Sequence, residues 1–146
     1  MGDALEPSIR SSSARPEMTA ALMEGTGLDE TILEKLVCRF YEKVRLDELL
    51  GPMFEDRIED WELHLDRMAT FWSSIALMTG RYHGAPMPAH VSLPVSWRHF
   101  ERWLALFNQT AHETCPPEGA AHVIERAKRI ARSLHLAVEH NRDRPC

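Results

Sequence analysis

The stretch DWELHLDRMATFW, residues 60–72, has the period of an amphipathic helix. The apolar side of this helix is formed by Trp61, Leu65, Met68 and Trp72, and His64 lies on that same side. Residues that face a core normally have no hydrogen bonds to satisfy. The stretch therefore predicts one of two things: a core histidine bonded to a neighbouring group, or a histidine in the wall of a functional pocket.

Three further segments share this helical period, and no segment alternates with the period of two that a half-buried strand needs. The first predicted helix follows Thr26 as its cap and ends near LLGPMF (49–54), where a Gly-Pro pair breaks it. The opening stretch gives the second helix, which stops at Gly80. The third starts near Ser96, and CPPEG (115–119) separates it from the fourth. The predicted fold class is all-α.

The length of 146 residues suits a single domain. Residues 1–25 are polar and weakly patterned, with the run SSSARP (11–16), and predict a flexible N-terminal tail. The domain is then expected over residues 26–140. Residues 141–146 are expected to form a short C-terminal tail.

Composition excludes several classes of function. The net charge of −5 is unfavourable for nucleic-acid binding, which depends on a basic surface. No apolar run approaches the roughly 20 residues that span a bilayer, and the N-terminus has no secretory pattern, so we expect a cytoplasmic protein without membrane contact. The three cysteines form no C-x-x-C pair and no C-x-x-C-H motif, which leaves disulfides, a zinc ribbon and covalent haem attachment unsupported.

Two of the eight histidines, His64 and His90, lie among apolar neighbours. His90 is in RYHGAPMPAHVSLPVS (81–96), where prolines and a glycine prevent a long helix. A haem needs an imidazole on iron, a flat apolar slot and a few polar groups above the open iron face. His90 is a candidate iron ligand, with Leu93 beside it to pack on a porphyrin, and His64 would face it. The slot could be lined by Phe54, Met68, Phe71, Trp72 and Phe107, although periodicity alone does not distinguish these from an ordinary core.

Six stretches of the chain resemble the group III truncated haemoglobins. They occur in the family's order and spacing, from about residue 28 to 138, and His64 and His90 are 26 residues apart. The resemblance implies a two-over-two helical sandwich, a shortened globin that holds haem b (iron protoporphyrin IX) without covalent attachment. The stretches are FYEKVR (40–45), LGPMF (50–54), DWELHLDRMATFWSS (60–74), TGRYHGAPMPAH (79–90), HFERWLALF (99–107) and RAKRIARSL (126–134).

The resemblance also implies roles for individual residues. His90 matches the proximal iron ligand, Tyr41 the distal tyrosine, His64 the distal histidine and Trp103 the distal tryptophan. Phe54 matches the phenylalanine that packs on the haem. From their chemistry alone, Arg81 and Tyr82 are candidate partners for the haem propionates.

The implied function is binding of dioxygen, and of nitric oxide and carbon monoxide, at the iron. The alternative is redox detoxification, as a nitric oxide dioxygenase or with peroxidase-like activity. That alternative needs a separate reductase, because the chain carries no flavin or nicotinamide domain, so whether the protein is an enzyme stays open. His64 is expected to hydrogen-bond the ligand or to act as a gate rather than to ligate iron. A haem-free helical interaction module is the third hypothesis, and a monomer is the expected state.

Overall fold

The computed structural model describes residues 15–84 and 94–143, with side chains to residue 141, and every regular element in these ranges is an α-helix. The all-α prediction is confirmed. The six helices are α1 (Pro16–Thr26), α2 (Glu30–Leu46), α3 (Gly51–Arg57), α4 (Trp61–Leu77), α5 (Trp97–Thr114) and α6 (Pro117–Asp143).

Two helix pairs form the body of the fold. Helix α2 packs on α4, and α5 packs on α6. Contacts of α2 with α5 and of α4 with α6 join the pairs into a two-over-two sandwich. The core between them is apolar, with Leu33, Leu36, Phe40 and Phe107 almost completely buried. Within the described ranges, no helix combines the length and the hydrophobicity that a membrane span requires.

Helix α1 corrects the predicted tail over residues 1–25. Residues 16–26 are helical, and α1 contacts both α4 and α6. The Thr19 hydroxyl donates to the Leu77 carbonyl oxygen at 2.6 Å, which satisfies one of the carbonyls left open where α4 ends. Pro16 at the start of α1 suits the first turn of a helix. The described part of the domain therefore begins ten residues before the predicted boundary at 26.

Helix boundaries differ from prediction in three further places. Thr26 is the last residue of α1, and Asp29 caps α2 instead, its carboxylate accepting from the Ile32 N–H at 2.8 Å. Helix α4 ends at Leu77, because Met78 adopts φ 56° in the left-handed region. Helix α6 continues to Asp143, so residues 141–143 are helical where a tail was expected.

The break at Gly-Pro is confirmed, but a short helix follows it. Helix α2 ends at Leu46, and α3 begins at Gly51. A Cβ at Gly51 would lie 2.7 Å from the Arg45 carbonyl oxygen, so the chain turns this tightly only because position 51 has no side chain. The turn places α3 beside α2, where Phe54 reaches the ring of Tyr41.

Candidate functional site

A cavity of about 880 Å³, including the part that opens to solvent, lies between α2, α3, α4, α5 and α6. Its walls are mostly hydrocarbon and aromatic, and the polar side chains among them are few. The lining residues are Tyr41, Leu50, Met53, Phe54, His64, Met68, Phe71, Trp72, Val95, His99, Phe100, Trp103, Ile130, Ala131 and Leu134.

Tyr41 is the most deeply buried of the polar lining residues, with 7% of its surface exposed. It lies on the face of α2 that also carries Val37 and Val44, so helical period turns it inward. Burial raises the pKa of Tyr41 well above its usual value of 10. The phenol therefore stays protonated at neutral pH, and it remains a hydrogen-bond donor.

His64 faces the cavity from α4, which confirms that the histidine of the opening stretch points inward. Its ring centroid lies 4.9 Å from that of Tyr41, with the two rings at 84°. It also lies 5.6 Å from the ring of Trp61, one helical turn earlier. Edge-to-face packing of this kind fixes the orientation of the imidazole against two aromatic rings.

Trp103 brings the indole of α5 to the cavity, and a stack of rings lies behind it. Phe107 stacks on Trp103 at 5.6 Å and on Trp72 at 4.9 Å. Phe107 is only 1% exposed and is not among the described lining residues. It follows Trp103 by four positions, and this next turn of α5 lies deeper in the core between the helix pairs.

Residues 21–136 match the family described as bacterial-like globin. The chain belongs to the bacterial-like globin family. It is 35% identical over 109 residues to the group 3 truncated hemoglobin ctb of Campylobacter jejuni subsp. jejuni serotype O:2, an alignment that covers 71% of this chain and 86% of the relative. The crystal structure of group III truncated hemoglobin from Campylobacter jejuni matches with a TM-score of 0.72 at 33% identity, over 76% of this chain and 91% of that one. The predicted resemblance to the group III truncated haemoglobins is confirmed.

Membership in this family makes the protein a haem-binding globin, and small diatomic molecules are the ligands that the family implies. The described residues fit this group. A porphyrin needs flat apolar surroundings, and the globin's cavity offers aromatic and aliphatic side chains on all the helices that border it. The polar groups that a ligand at iron would need are present in Tyr41, His64 and Trp103.

Four more of the predicted residues line the globin's cavity. They are Phe54, Met68, Phe71 and Trp72. Phe54 also contacts the Tyr41 ring at 5.9 Å, which places α3 against the end of the cavity where the tyrosine lies.

Arg81 and Tyr82, the predicted partners of the haem propionates, are not among the described lining residues of the cavity. The Arg81 guanidinium pairs with the Glu30 carboxylate at 2.8 Å. The Tyr82 N–H donates to Ser74 Oγ at 2.8 Å, and its ring packs on Phe71 from behind the wall. The turn after α4 therefore directs both side chains to partners within the protein.

His90 and Leu93, the predicted iron ligand and its porphyrin contact, lie outside the described residues. The chain is described again from residue 94, and Val95, five residues after His90 in the sequence, lines the cavity.

Sequence reasoning missed about half of the wall. Ile130 and Leu134 were not identified, because a helical stripe does not reveal whether it faces a neighbour or a cavity. His99 was not identified either, yet it lines the cavity. Its Nδ1 accepts from the Ser96 N–H at 3.0 Å, so a neutral His99 carries its proton on Nε2. The S-x-x-H spacing at the start of α5 was the available signal for this local bond. The other unpredicted lining residues are Leu50, Met53, Val95, Phe100 and Ala131.

Proposed function

We propose that this globin binds haem b without covalent attachment in the cavity and holds dioxygen there, with nitric oxide and carbon monoxide as further ligands. In this proposal His90 ligates the iron, while Tyr41, His64 and Trp103 surround the ligand. The observation that carries the proposal is the contact of the Tyr41 and His64 rings in the wall of an otherwise apolar cavity.

When bound, the haem supplies an iron atom at which a diatomic molecule is held. Tyr41 acts on that ligand through its O–H, which burial keeps protonated. A hydrogen bond from a buried donor contributes about 1 kcal/mol to holding a ligand, which corresponds to about a fivefold slower release. Tyr41 is thus proposed to set the rate of dioxygen release more than the rate of entry.

His64 and Trp103 are proposed as the other two groups on the ligand side. Trp103 can only donate, through its indole N–H. His64 can donate or accept according to its tautomer, and its packing against Tyr41 and Trp61 supports a role as hydrogen-bond partner or gate. Three polar groups directed at a ligand favour tight holding over rapid exchange.

The apolar lining residues are proposed to hold the macrocycle and exclude water. Phe54, Met68 and Phe71 offer aromatic and thioether surface, and Leu134 lies on α6. Non-covalent attachment is supported by the two cysteines in the described part of the chain, because neither Cys38, which is exposed on α2, nor Cys115 lines the cavity.

The test is titration of haemin into the haem-free protein. We expect a Soret band that saturates at one haemin per chain, and extraction of the haem into acidified butanone, as a non-covalent haem b requires. His90→Ala should weaken haemin binding and remove the rise in melting temperature that haemin gives the wild type, since a ligand that binds only the folded state stabilises it. A protein that stays colourless with excess haemin would refute the proposal.

A further inference from the structure

Trp61, the first residue of α4, lies directly behind the part of the cavity wall formed by Tyr41 and His64. Its ring centroid is 5.9 Å from that of Tyr41 and 5.6 Å from that of His64. Trp61 itself does not line the cavity. Both rings on the ligand side therefore rest against one indole, and neither can swing outward unless that indole moves.

One charged side chain, Arg45, covers the Trp61 ring, and Glu55 pairs with that arginine. The guanidinium carbon of Arg45, on α2, lies 4.3 Å from the centroid of the Trp61 ring. Arg45 Nε donates to Glu55 Oε1 of α3 at 2.9 Å. The side chains of Arg45 and Glu55 are 44% and 49% exposed, so solvent and salt reach this pair. We call Arg45, Glu55 and Trp61 the corner clamp, because together they join α2, α3 and α4.

No hydrogen bond to a described residue anchors the indole. The Nε1–H of Trp61 is buried, and none of the described residues accepts from it. A buried tryptophan normally finds an acceptor for this group. The position of the Trp61 ring therefore depends on its packing against other rings and on the cation of Arg45.

We propose that the corner clamp holds Trp61 against His64 and Tyr41, and so controls how readily a diatomic ligand enters the cavity. Trp61 and Arg45 are positioning residues in this account, because they act through the two rings that line the cavity. The proposal rests on the proposed function for its ligand, but the position of Trp61 can be tested without haem.

The size of the effect follows from the exposure of the clamp. A cation over an aromatic ring at an exposed site, together with an exposed ion pair, contributes enough for a change of about two- to fivefold in an opening equilibrium. Both contributions weaken as salt is added. Carbon monoxide is the probe for entry because it is uncharged, so salt cannot change its association by electrostatic steering.

Association of carbon monoxide with the ferrous protein, measured after flash photolysis, is the first experiment. Arg45→Gln and Glu55→Gln should each speed association by about two- to fivefold. The matched control is Arg57→Gln. Arg57 is an exposed arginine of α3, the helix that carries Glu55, and it pairs with Asp56 rather than contacting Trp61. The proposal is overturned if Arg45→Gln associates at the wild-type rate, or if Arg57→Gln speeds association equally.

The salt dependence of the association rate is a second test, because a merely structural role of the corner clamp would not produce one. Raising sodium chloride from about 20 to about 500 mM should speed association in the wild type, because the Debye length falls well below 10 Å. In Arg45→Gln the salt dependence should be absent. A wild-type rate independent of salt contradicts the proposal.

The third experiment tests the position of Trp61 in the haem-free protein as well as in its carbon monoxide form. Solvent exchange of the Trp61 indole proton is followed by nitrogen-15 correlation spectra, with the signal assigned by its loss in Trp61→Phe. Arg45→Gln should speed this exchange, and Arg57→Gln should not. If the protein takes up no haem, the proposed function fails and this experiment still tests the clamp. Faster exchange without faster association would show that the clamp holds Trp61 but does not control entry, which overturns the inference.

Discussion

The wall of the cavity contributed by α2, α3 and α4 differs in chemistry from the wall contributed by α6 and by Val95, which precedes α5. The first, the aromatic wall, carries the rings of Tyr41, Phe54, His64, Phe71 and Trp72 together with the methionines Met53 and Met68. The second, the aliphatic wall, consists of Val95, Ile130, Ala131 and Leu134. The aromatic wall holds rings at fixed angles through edge-to-face contacts, and it includes a donor that burial keeps protonated.

This difference separates two tasks. Hydrogen-bond donors on the aromatic wall orient a bound ligand toward that wall. A wall of aliphatic groups only excludes water and packs. His99, the polar lining residue beside the aliphatic wall, uses Nδ1 for the start of α5. Changes to the aliphatic wall should therefore affect stability and haem uptake, and changes to the aromatic wall should affect ligand kinetics.

The largest effect is expected from a charge placed in the aliphatic wall. Ala131 is 1% exposed, and Ala131→Asp would bury a carboxylate in a cavity whose described lining residues include no lysine or arginine. An uncompensated buried charge costs about 3–5 kcal/mol of unfolding free energy, so urea unfolding should show a large loss and haemin uptake should fail. Ala121→Asp, at an exposed position of the same helix, is the control and should change stability by less than about 0.5 kcal/mol. Equal stability of the two variants would break the comparison.

A smaller effect is expected from His64 on the aromatic wall. The unliganded ferrous protein should be high-spin and five-coordinate, because His64 serves the ligand rather than the iron. His64→Leu should leave that spectrum unchanged and speed dioxygen release by about fivefold, the equivalent of about 1 kcal/mol for one lost hydrogen bond. A low-spin, six-coordinate wild type whose spectrum becomes five-coordinate in His64→Leu would show instead that His64 ligates the iron.

The smallest effect is expected from His122, which links the two helix pairs of the fold. Its Nε2 lies 2.9 Å from the Ala76 carbonyl oxygen, linking α6 to α4. Burial lowers the pKa of His122, although the bond to Ala76 opposes that shift. The unfolded chain then binds more protons than the folded one below the ordinary value of 6.5, so unfolding free energy should fall as pH drops through this range.

His122→Gln should remove this part of the pH dependence. The measurement is urea unfolding at pH 7.5 and 5.5, with His112→Gln, at an exposed position of α5, as the control. A wild-type stability that rises on acidification through this range, or a His122→Gln variant with the full wild-type slope, would contradict the assignment.

Much of the cavity lining could be predicted from the sequence. Helical period alone placed His64, Met68 and Trp72 on one side of α4, and the resemblance to the truncated haemoglobins added Tyr41 and Trp103. These side chains line the cavity because each is directed there by the period of its own helix. Phe107 lies on the same face of α5 as Trp103 but is buried in the core, because depth within a core depends on the neighbouring helices and not on period.

The residues that could not be predicted are those whose partners are distant in sequence. Arg81 was expected beside the haem, but its partner is Glu30, at the start of α2. Helix α1 was missed because its pattern is weakly amphipathic and its packing depends on contacts with α4, such as the bond from Thr19 to Leu77. Such pairings are set by the assembled fold, and a local pattern contains no signal for them.

The most direct test of the two-wall account compares two tyrosines. Dioxygen is displaced by carbon monoxide in a stopped-flow instrument for the wild type, Tyr41→Phe and Tyr82→Phe. Tyr41 lines the cavity with its protonated phenol, whereas Tyr82 lies behind Phe71. The account predicts that Tyr41→Phe releases dioxygen about fivefold faster, as one lost hydrogen bond requires, while Tyr82→Phe matches the wild type. Release from Tyr41→Phe at the wild-type rate would contradict it.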